Sequence, residues 1–230
     1  MIVAKYRKRE LVSNYTILTI LALTCILPIM LLFFNSIKPQ EEFGINPLGF
    51  PITIRLANFV DAWVIGEYAQ IFLNSTKLVI GTLILNLTVS GLAGFSLAKL
   101  YPRGSNAFLV YLLVGVSIPA QMFILPLFLM WKELGLMNTH LGLIIIYAGL
   151  NAPFATFLIR SYMIQLPDEL FDAAKIDGAN TLQLFYRIAL PISWPVFLTT
   201  GLVVGLAVWN EFLFALTFVH DDTKKPIATI

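Results

Sequence analysis

The stretch "LFDAAKIDGANTLQLFYRIALPISWP", residues 170–195, lies between two long apolar runs and is the most polar part of its neighbourhood. Its charged side chains include Asp172, Lys175, Asp177 and Arg187. Because the runs on either side carry almost no charge, this stretch marks a boundary between separate elements of the fold.

Local signals predict two short helices around a glycine bend. Pro167 suits the first turn of a helix, and the two acidic residues after it suit the positive end of the helix dipole. Gly178 is typical of a helix stop in the left-handed conformation. Asn180 can cap a second helix, with Gln183 three residues later as its capping-box partner. The polar stretch is therefore expected to be ordered.

Both predicted helices are amphipathic. Leu170, Ala173 and Ala174 share one face by their spacing, and the two alanines leave that face flat. Exposed apolar faces of this kind have two explanations: a loop packed on its own bundle, or a docking surface for a soluble partner. The second helix is expected to end at Leu190-Pro191, with an apolar side formed by Leu182, Phe185, Ile188 and Ala189.

The composition is that of a membrane protein. Hydrophobic residues make up 58% of the chain and charged residues 12%, whereas soluble domains carry about 25% charge. The net charge of +2 does not indicate a nucleic-acid partner. The single cysteine, Cys25, excludes an internal disulfide, and the two histidines lie far apart in the sequence, so no metal site is expected.

Five apolar runs are long enough to span a bilayer, which takes about 20 residues. The predicted fold class is therefore all-α, a polytopic bundle of membrane helices forming one domain over residues 1–230. Prolines inside such helices are tolerated where neighbours re-satisfy the backbone. The predicted spans are Tyr15–Phe34, Leu78–Ala98, Phe108–Trp131, Leu141–Ile164 and Ile192–Val219.

Basic residues set the predicted orientation. With the N-terminus in the cytoplasm, the inside segments hold nine Lys and Arg residues and the outside segments six, and a basic cluster at residues 5–9 opens the chain. This arrangement puts the polar loop inside and a long loop, 35–77, outside, where residues 58–75 are expected to form a surface helix. The basic residues at span ends are expected to be interface anchors: Lys99, Arg103 and Arg160.

The spacing of Asp172-Ala173-Ala174, Gly178 and Ile188-x-Leu190-Pro191 resembles the EAA loop of binding-protein-dependent ABC transporter permeases, with Asp172 where that loop has glutamate. Other segments resemble the carbohydrate-uptake branch, in its shorter permease of the maltose or glycerol-phosphate type. They are "NSIKPQEEF" at 35–43, "NSTKLVIGTLILNLTVSGLAGFSLAKL" at 74–100, "ILPLFLMWKELGLMNTHLGLIIIYAGLNAPFATFLIRSYMIQLPDEL" at 124–170 and "WNEF" at 209–212.

The resemblance implies an importer of a sugar, oligosaccharide or related polyol in a bacterial inner membrane. Its expected partners are a second permease in a heterodimer, a cytoplasmic ATPase dimer that binds ATP and Mg²⁺, an extracytoplasmic solute-binding protein and the lipid bilayer. Six spans are usual in this branch, so a sixth is expected beyond residue 230. The loop 166–191 would couple to the ATPase through Asp172, Ala173, Ala174, Asp177, Gly178, Ala179, Ile188, Leu190 and Pro191.

The chain is expected to be non-catalytic. None of its glycines is followed by lysine, so it has no phosphate-binding Walker A loop. Polar residues within spans are candidates for the substrate pathway, although amides often only join helices. The alternative is an ion-coupled secondary transporter, but the spans offer a single carboxyl group and no repeat. The pathway candidates are Asn86, Gln121, Asn151, Asn210 and Glu211, the last either lining the pathway or forming a structural pair.

Overall fold

A computed structural model describes residues 8–229, which form helices and turns and contain no strand. The chain packs as two compact units that divide after Tyr68. The prediction of one domain over residues 1–230 stays a prediction. Of the basic cluster at residues 5–9, Lys5 and Arg7 lie outside the described residues, as do the side chains of Lys8 and Arg9. The first unit contains α1 Lys8–Ser36, α2 Gln40–Ile45 and α3 Ala57–Ile65.

The end of α1 is fixed by a buried lysine. Lys38 is 2% exposed, and its Nζ donates to Asn35 Oδ1 at 3.0 Å, to the carbonyl oxygen of Asn46 at 2.6 Å and to that of Gly49 at 2.8 Å. These acceptors satisfy the charge that burial would otherwise penalise. They also fold the chain after α1 into a compact loop.

The prediction of one surface helix over residues 58–75 is wrong in the length of the helix. The chain turns at Gly66 and Glu67, and Glu67 has a φ of 49°. The helix before this turn, α3, ends at Ile65, and residues 68–75 already belong to the next long helix. Two elements therefore replace the predicted one, because the turn breaks the helical path.

Within the described residues, the second unit contains nine α-helices. Its long members are α4, which is extended by a wide π-turn at Ser96–Leu100, and α7. Together with Leu11–Ser36 of α1, they are long and apolar enough to cross a membrane unaided. The helices are α4 Tyr68–Phe95, α5 Ser105–Ser117, α6 Ile124–Glu133, α7 His140–Met163, α8 Asp168–Ile176, α9 Thr181–Leu184, α10 Leu190–Ile192, α11 Trp194–Trp209 and α12 Leu213–Phe218.

The predicted span Phe108–Trp131 is not one continuous helix. Its halves, α5 and α6, meet at an angle of 96°. Ile118 adopts an extended conformation, with φ −84° and ψ 126°, as a residue before proline prefers. Pro119 has no N–H with which to continue the helix. The break therefore follows from this proline.

The predicted span Ile192–Val219 is also broken. The helical segment Thr181–Ile192 meets α11 at 78°. The helix α11 ends at Trp209, and a separate short helix, α12, completes the segment. Asn210 and Glu211 thus lie in the break between α11 and α12, not inside a span.

Hydrogen bonds show which helix ends lie together in the second unit. We call its two ends the loop end, at the polar loop 166–191, and the far end, opposite it. At the far end, Asn74 of α4 donates to the carbonyl oxygens of Thr223 and Lys225, and His140 of α7 lies 3.0 Å from the carbonyl oxygen of Lys224. At the loop end, the last turn of α4 is bonded to the segment that follows α7. The helices α4 and α7 therefore run in the same direction, and each bent pair returns from the loop end to the far end.

Candidate functional site

The polar loop between α7 and α11 is built as its sequence predicts. Gly178 has a φ of +84°, a value that costs a residue with a Cβ about 1–2 kcal/mol. Its N–H donates to the carbonyl oxygen of Lys175, and the Ala179 N–H donates to that of Ala174. Asn180 and Gln183 form the expected reciprocal capping box. The two-helix interpretation is confirmed.

The second helix ends one residue after the expected Leu190-Pro191, at Ile192, and it contains a π-turn at Phe185–Ala189 that was not expected. In this wide turn the Leu190 N–H donates to the carbonyl oxygen of Phe185, five residues earlier. The wider path accommodates a proline whose ring would clash with the carbonyl of a regular helix. The chain bends after this, at Ser193.

The loop packs on its bundle through aromatic residues that the predicted faces partly missed. Phe171 and Leu184 are buried together with Phe185, whose ring centroid lies 5.5 Å from that of Phe95. Leu170 is exposed and so is Leu182, although both were assigned to apolar faces. Each helix thus packs one face against the bundle and exposes another. The first face fits a loop packed on its own bundle, and the exposed face is available as a docking surface.

The predicted coupling residues lie mostly at the surface. Asp172 is exposed and pairs with Lys175 at 2.9 Å, one turn away on α8. Exposed pairs of this kind contribute little to stability, so Asp172 is free to change partners. Of the remaining residues, Ala173, Asp177, Gly178 and Pro191 are exposed, and Ala174, Ala179, Ile188 and Leu190 are half-buried.

Lys99 is not the interface anchor that the sequence predicts. Its side chain is 5% exposed, and its Nζ donates to Asp168 Oδ1 and to the carbonyl oxygen of Leu166, both at 2.6 Å. The Nζ also lies 5.3 Å from the centre of the Phe171 ring. Arg160 likewise turns inward, with its Nε donating to the carbonyl oxygen of Leu97 at 3.3 Å. Arg103 is exposed, and its role as an anchor stays a prediction.

Glu211 forms a structural pair. One carboxyl oxygen accepts from the Tyr147 hydroxyl at 2.8 Å. The same carboxyl group accepts from the backbone N–H of Phe214 and of Ala215, at 3.0 to 3.1 Å. It thereby caps the first turn of α12 and ties that helix to α7. Its role in lining a pathway stays a prediction.

Two of the predicted pathway amides join or brace helices. Asn86 is buried in α4, and its Nδ2 donates to the carbonyl oxygen of Ala148 in α7. Within residues 8–229 its Oδ1 has no hydrogen-bond partner. Asn151 donates to the carbonyl oxygen of Tyr147 in its own helix. Both amides satisfy backbone acceptors, which is the usual role of amides between membrane helices.

Asn210 and Gln121 are more accessible. Asn210 is exposed at the end of α11 and donates to the carbonyl oxygen of Leu206. Gln121 is exposed and lines a largely apolar groove of about 710 Å³ between the bend of α5–α6 and α7, with Tyr111 and Phe154. Asn86, Asn151 and Glu211 each bond to Tyr147 or Ala148 of α7. The shared role of the five pathway candidates stays a prediction.

Comparison with known proteins identifies relatives along most of the chain. A probable ABC transporter permease of Bacillus subtilis is 32% identical over 87% of this chain and 66% of its own length. The permease of the arabinooligosaccharides transport system of Halalkalibacterium halodurans is 33% identical, over 88% and 73%. The permease of the diacetylchitobiose uptake system of Streptomyces coelicolor is 29% identical, over 94% and 72%.

The fold and the family agree. A crystal structure of a bacterial ABC transporter involved in the import of the acidic polysaccharide alginate contains a chain of the same fold, with a TM-score of 0.85 and 23% identity over 96% of this chain and 79% of that one. The model of binding-protein-dependent transport system inner membrane components matches residues 90–223. The chain belongs to this family, and it is therefore a permease of the ABC importer type and not an ion-coupled secondary transporter.

Proposed function

We propose that this chain is one permease subunit of an ATP-driven importer of a sugar, oligosaccharide or related polyol, and that it forms the translocation pathway with a second permease. The loop 166–191 supports this proposal most directly, because it presents an ordered helix at one end of the bundle. The names of the relatives support the substrate class, since arabinooligosaccharides and diacetylchitobiose are carbohydrates.

The helix α8 has the properties of a docking element. Phe171 anchors it on the bundle, while Leu170, Ala173 and Ile176 remain exposed, Ile176 by 87%. An apolar ridge exposed on an ordered helix favours burial against a partner. Asp172 lies beside this ridge and would exchange its weak pair with Lys175 for a basic group of the ATPase, as a charge-assisted hydrogen bond.

In the assembled importer, an ATPase dimer would bind ATP and Mg²⁺ and carry out hydrolysis. Closure of that dimer would move the loop, and the spans would change which side of the membrane is open. In this assignment the loop end faces the cytoplasm, and the basic cluster at residues 5–9 favours the same side for the N-terminus. A solute-binding protein would then deliver substrate at the far end, outside the inner membrane.

Docking is tested with two loop variants, Asp172→Lys and Gly178→Val. Each is expected to reduce the amount of ATPase that co-purifies with the membrane-inserted chain. For Asp172→Lys the reduction should be about tenfold, for the loss of a charge-assisted hydrogen bond, and Gly178→Val should act by straining the positive-φ bend. The matched controls are Asp222→Lys at the far end and Gly44→Val, a site where a Cβ meets no atom within 4 Å. Both controls should retain the ATPase. Loop variants that keep the ATPase and transport at the unmodified rate would refute the docking role.

Transport is tested with the complete complex in proteoliposomes. Labelled arabinotriose and diacetylchitobiose are offered with the solute-binding protein, and ATP-dependent uptake of a carbohydrate is expected. The chain purified alone should hydrolyse no ATP, because its sequence contains no Gly-Lys pair for a phosphate loop. Uptake that follows an ion gradient without ATP would contradict the proposal.

A further inference from the structure

We propose that Lys99 is a positioning residue that joins the coupling loop to α4, so that movement of the loop reaches the far end of the bundle along that helix. The proposal rests on the proposed function, because it assumes that the loop 166–191 is moved by an ATPase. It adds a mechanical connection between the loop and α4, which are not adjacent in the sequence.

The connection is made by a buried charge with three partners. Lys99 Nζ contacts Asp168 Oδ1, the carbonyl oxygen of Leu166 and the face of the Phe171 ring. Taking a charged group out of water is costly unless such partners are present. Asp168 and Phe171 belong to α8, and Leu166 lies two residues before its first residue. The last turn of α4 is therefore fixed to the start of the docking helix.

The loop is connected to the helices of the bundle in few other ways. Through the backbone it is joined to α7 on one side and to α11 on the other, the latter across the 78° bend. The helix α4 is distant in sequence and meets the loop only through side chains. Besides Lys99, α4 contributes the ring of Phe95, whose centroid lies 6.0 Å from that of Phe171 and 5.5 Å from that of Phe185. The ring contacts are apolar packing, whereas the Lys99 cluster is directional, because it consists of short hydrogen bonds.

The helix α4 is suited to carry movement over a long distance. With its π-turn it runs unbroken over 33 residues, Tyr68–Leu100, a length of about 50 Å. At its far end the buried Asn74 and Ser75 hold the segment 223–227, Asn74 through two carbonyl oxygens and Ser75 through the N–H of Ile227. One rigid element therefore joins the docking helix to the surface at the opposite end.

The test separates this role from simple stabilisation. In a Cys25→Ser background, the reporter Leu73→Cys is placed on the exposed side of α4 near the far end, where Leu73 is 52% exposed. The complete complex in proteoliposomes is treated with a membrane-impermeant maleimide, without nucleotide and with ATP plus vanadate. The variants Lys99→Met and Asp168→Asn are compared with Arg103→Met, which removes an exposed positive charge in the adjacent turn.

The unmodified complex and Arg103→Met should show labelling rates that differ about fivefold or more between the two conditions, as expected for a shift between two conformations. In Lys99→Met and Asp168→Asn this ratio should fall towards one, while ATP hydrolysis per complex persists. Lower yield with an unchanged ratio would show that the pair only stabilises the fold, and the proposal would be wrong. An unmodified complex that hydrolyses ATP without any change in labelling would also overturn it. Absence of ATPase binding would instead refute the proposed function itself.

Discussion

Glu211 shows how a carboxyl group is accommodated between two helices. Four donor contacts surround it: the Tyr147 hydroxyl, the Ala215 N–H and the Phe214 N–H, which lies near both carboxyl oxygens. The first turn of a helix has N–H groups without intrahelical partners, and a side-chain oxygen can satisfy them. Glu211 does this for α12 and at the same time holds that helix against α7.

Removing this pair should lower stability in a non-additive way. Glu211→Gln is expected to cost about 1–2 kcal/mol and Tyr147→Phe about 1 kcal/mol, since each weakens hydrogen bonds to the same group. The double variant should cost less than the sum, because both single changes act on the same hydrogen bond between Tyr147 and Glu211. The measurement is the thermal unfolding midpoint in detergent, with the exposed Tyr111→Phe as the matched control. Strictly additive losses would contradict the pairing, and altered transport at unchanged stability would favour a pathway role.

At the residue scale, local interactions could be predicted and distant ones could not. The positive φ of Gly178 and the capping box of Asn180 depend on neighbours within a few positions, so residue types at fixed spacing were sufficient. The partners of Lys99 lie 67 and 69 positions away, and Tyr147 lies 64 positions from Glu211. Nothing in a single sequence pairs such residues, and Lys99 was therefore assigned to the membrane interface.

At the scale of elements, the length of an apolar run does not show whether its helix is straight. Pro119 breaks the path between α5 and α6, yet α7 continues through Pro153. In α7 the carbonyl oxygens of Ala148 and Ala152 near this proline receive hydrogen bonds from Asn86 and Ser90 of α4. These bonds hold the turns around the proline against α4, and the helix keeps its direction although Pro153 cannot donate to the carbonyl of Gly149. The donors come from another helix, so the sequence of α7 does not reveal them.

The contact between α4 and α7 depends on Gly94. A Cβ at this position would lie 3.2 Å from the backbone nitrogen of Arg160 and 3.2 Å from Ile159 Cγ2. Because a backbone atom cannot move aside cheaply, Gly94→Leu should force the helices apart and cost about 1–3 kcal/mol, as overpacking does. The control is Gly149→Leu, where a Cβ meets no atom within 4 Å. The measurement is the unfolding midpoint of each purified variant, and equal midpoints would show that the two helices do not pack closely here.

At the scale of the whole molecule, each of the two bent helix pairs runs once from one end of the second unit to the other. The pairs are α5 with α6 and the segment Thr181–Ile192 with α11. Each begins at the loop end, after the turn that follows α4 or within the loop that follows α7, and each finishes near the far end. The ring of Trp209 at the end of α11 lies 5.5 Å from that of Phe72 near the start of α4. The run lengths in the sequence predicted this number of passes. The bends within them were not predicted, since composition is the same for a straight and a broken span.

This arrangement makes a definite prediction of membrane sidedness. If the loop end faces the cytoplasm, Ile176 in the loop and Asp222 at the far end must lie on opposite sides of the membrane. Both sites are accessible, with Ile176 87% exposed and the Asp222 side chain 88% exposed. In a Cys25→Ser background, a membrane-impermeant thiol reagent should label Asp222→Cys in cells whose outer barrier is opened, and should reach Ile176→Cys only after the inner membrane is permeabilised.

The permeabilised sample is the control for reactivity, because both cysteines should then react to a similar extent. Labelling of Ile176→Cys and not of Asp222→Cys before permeabilisation would reverse the bundle and place the loop outside, where no ATPase could reach it. Labelling of both sites before permeabilisation would mean that the bent pair between them turns back without crossing, with the loop again outside. Labelling of neither site before permeabilisation would mean that this pair turns back with both sites in the cytoplasm, which changes the number of passes and leaves the loop assignment intact.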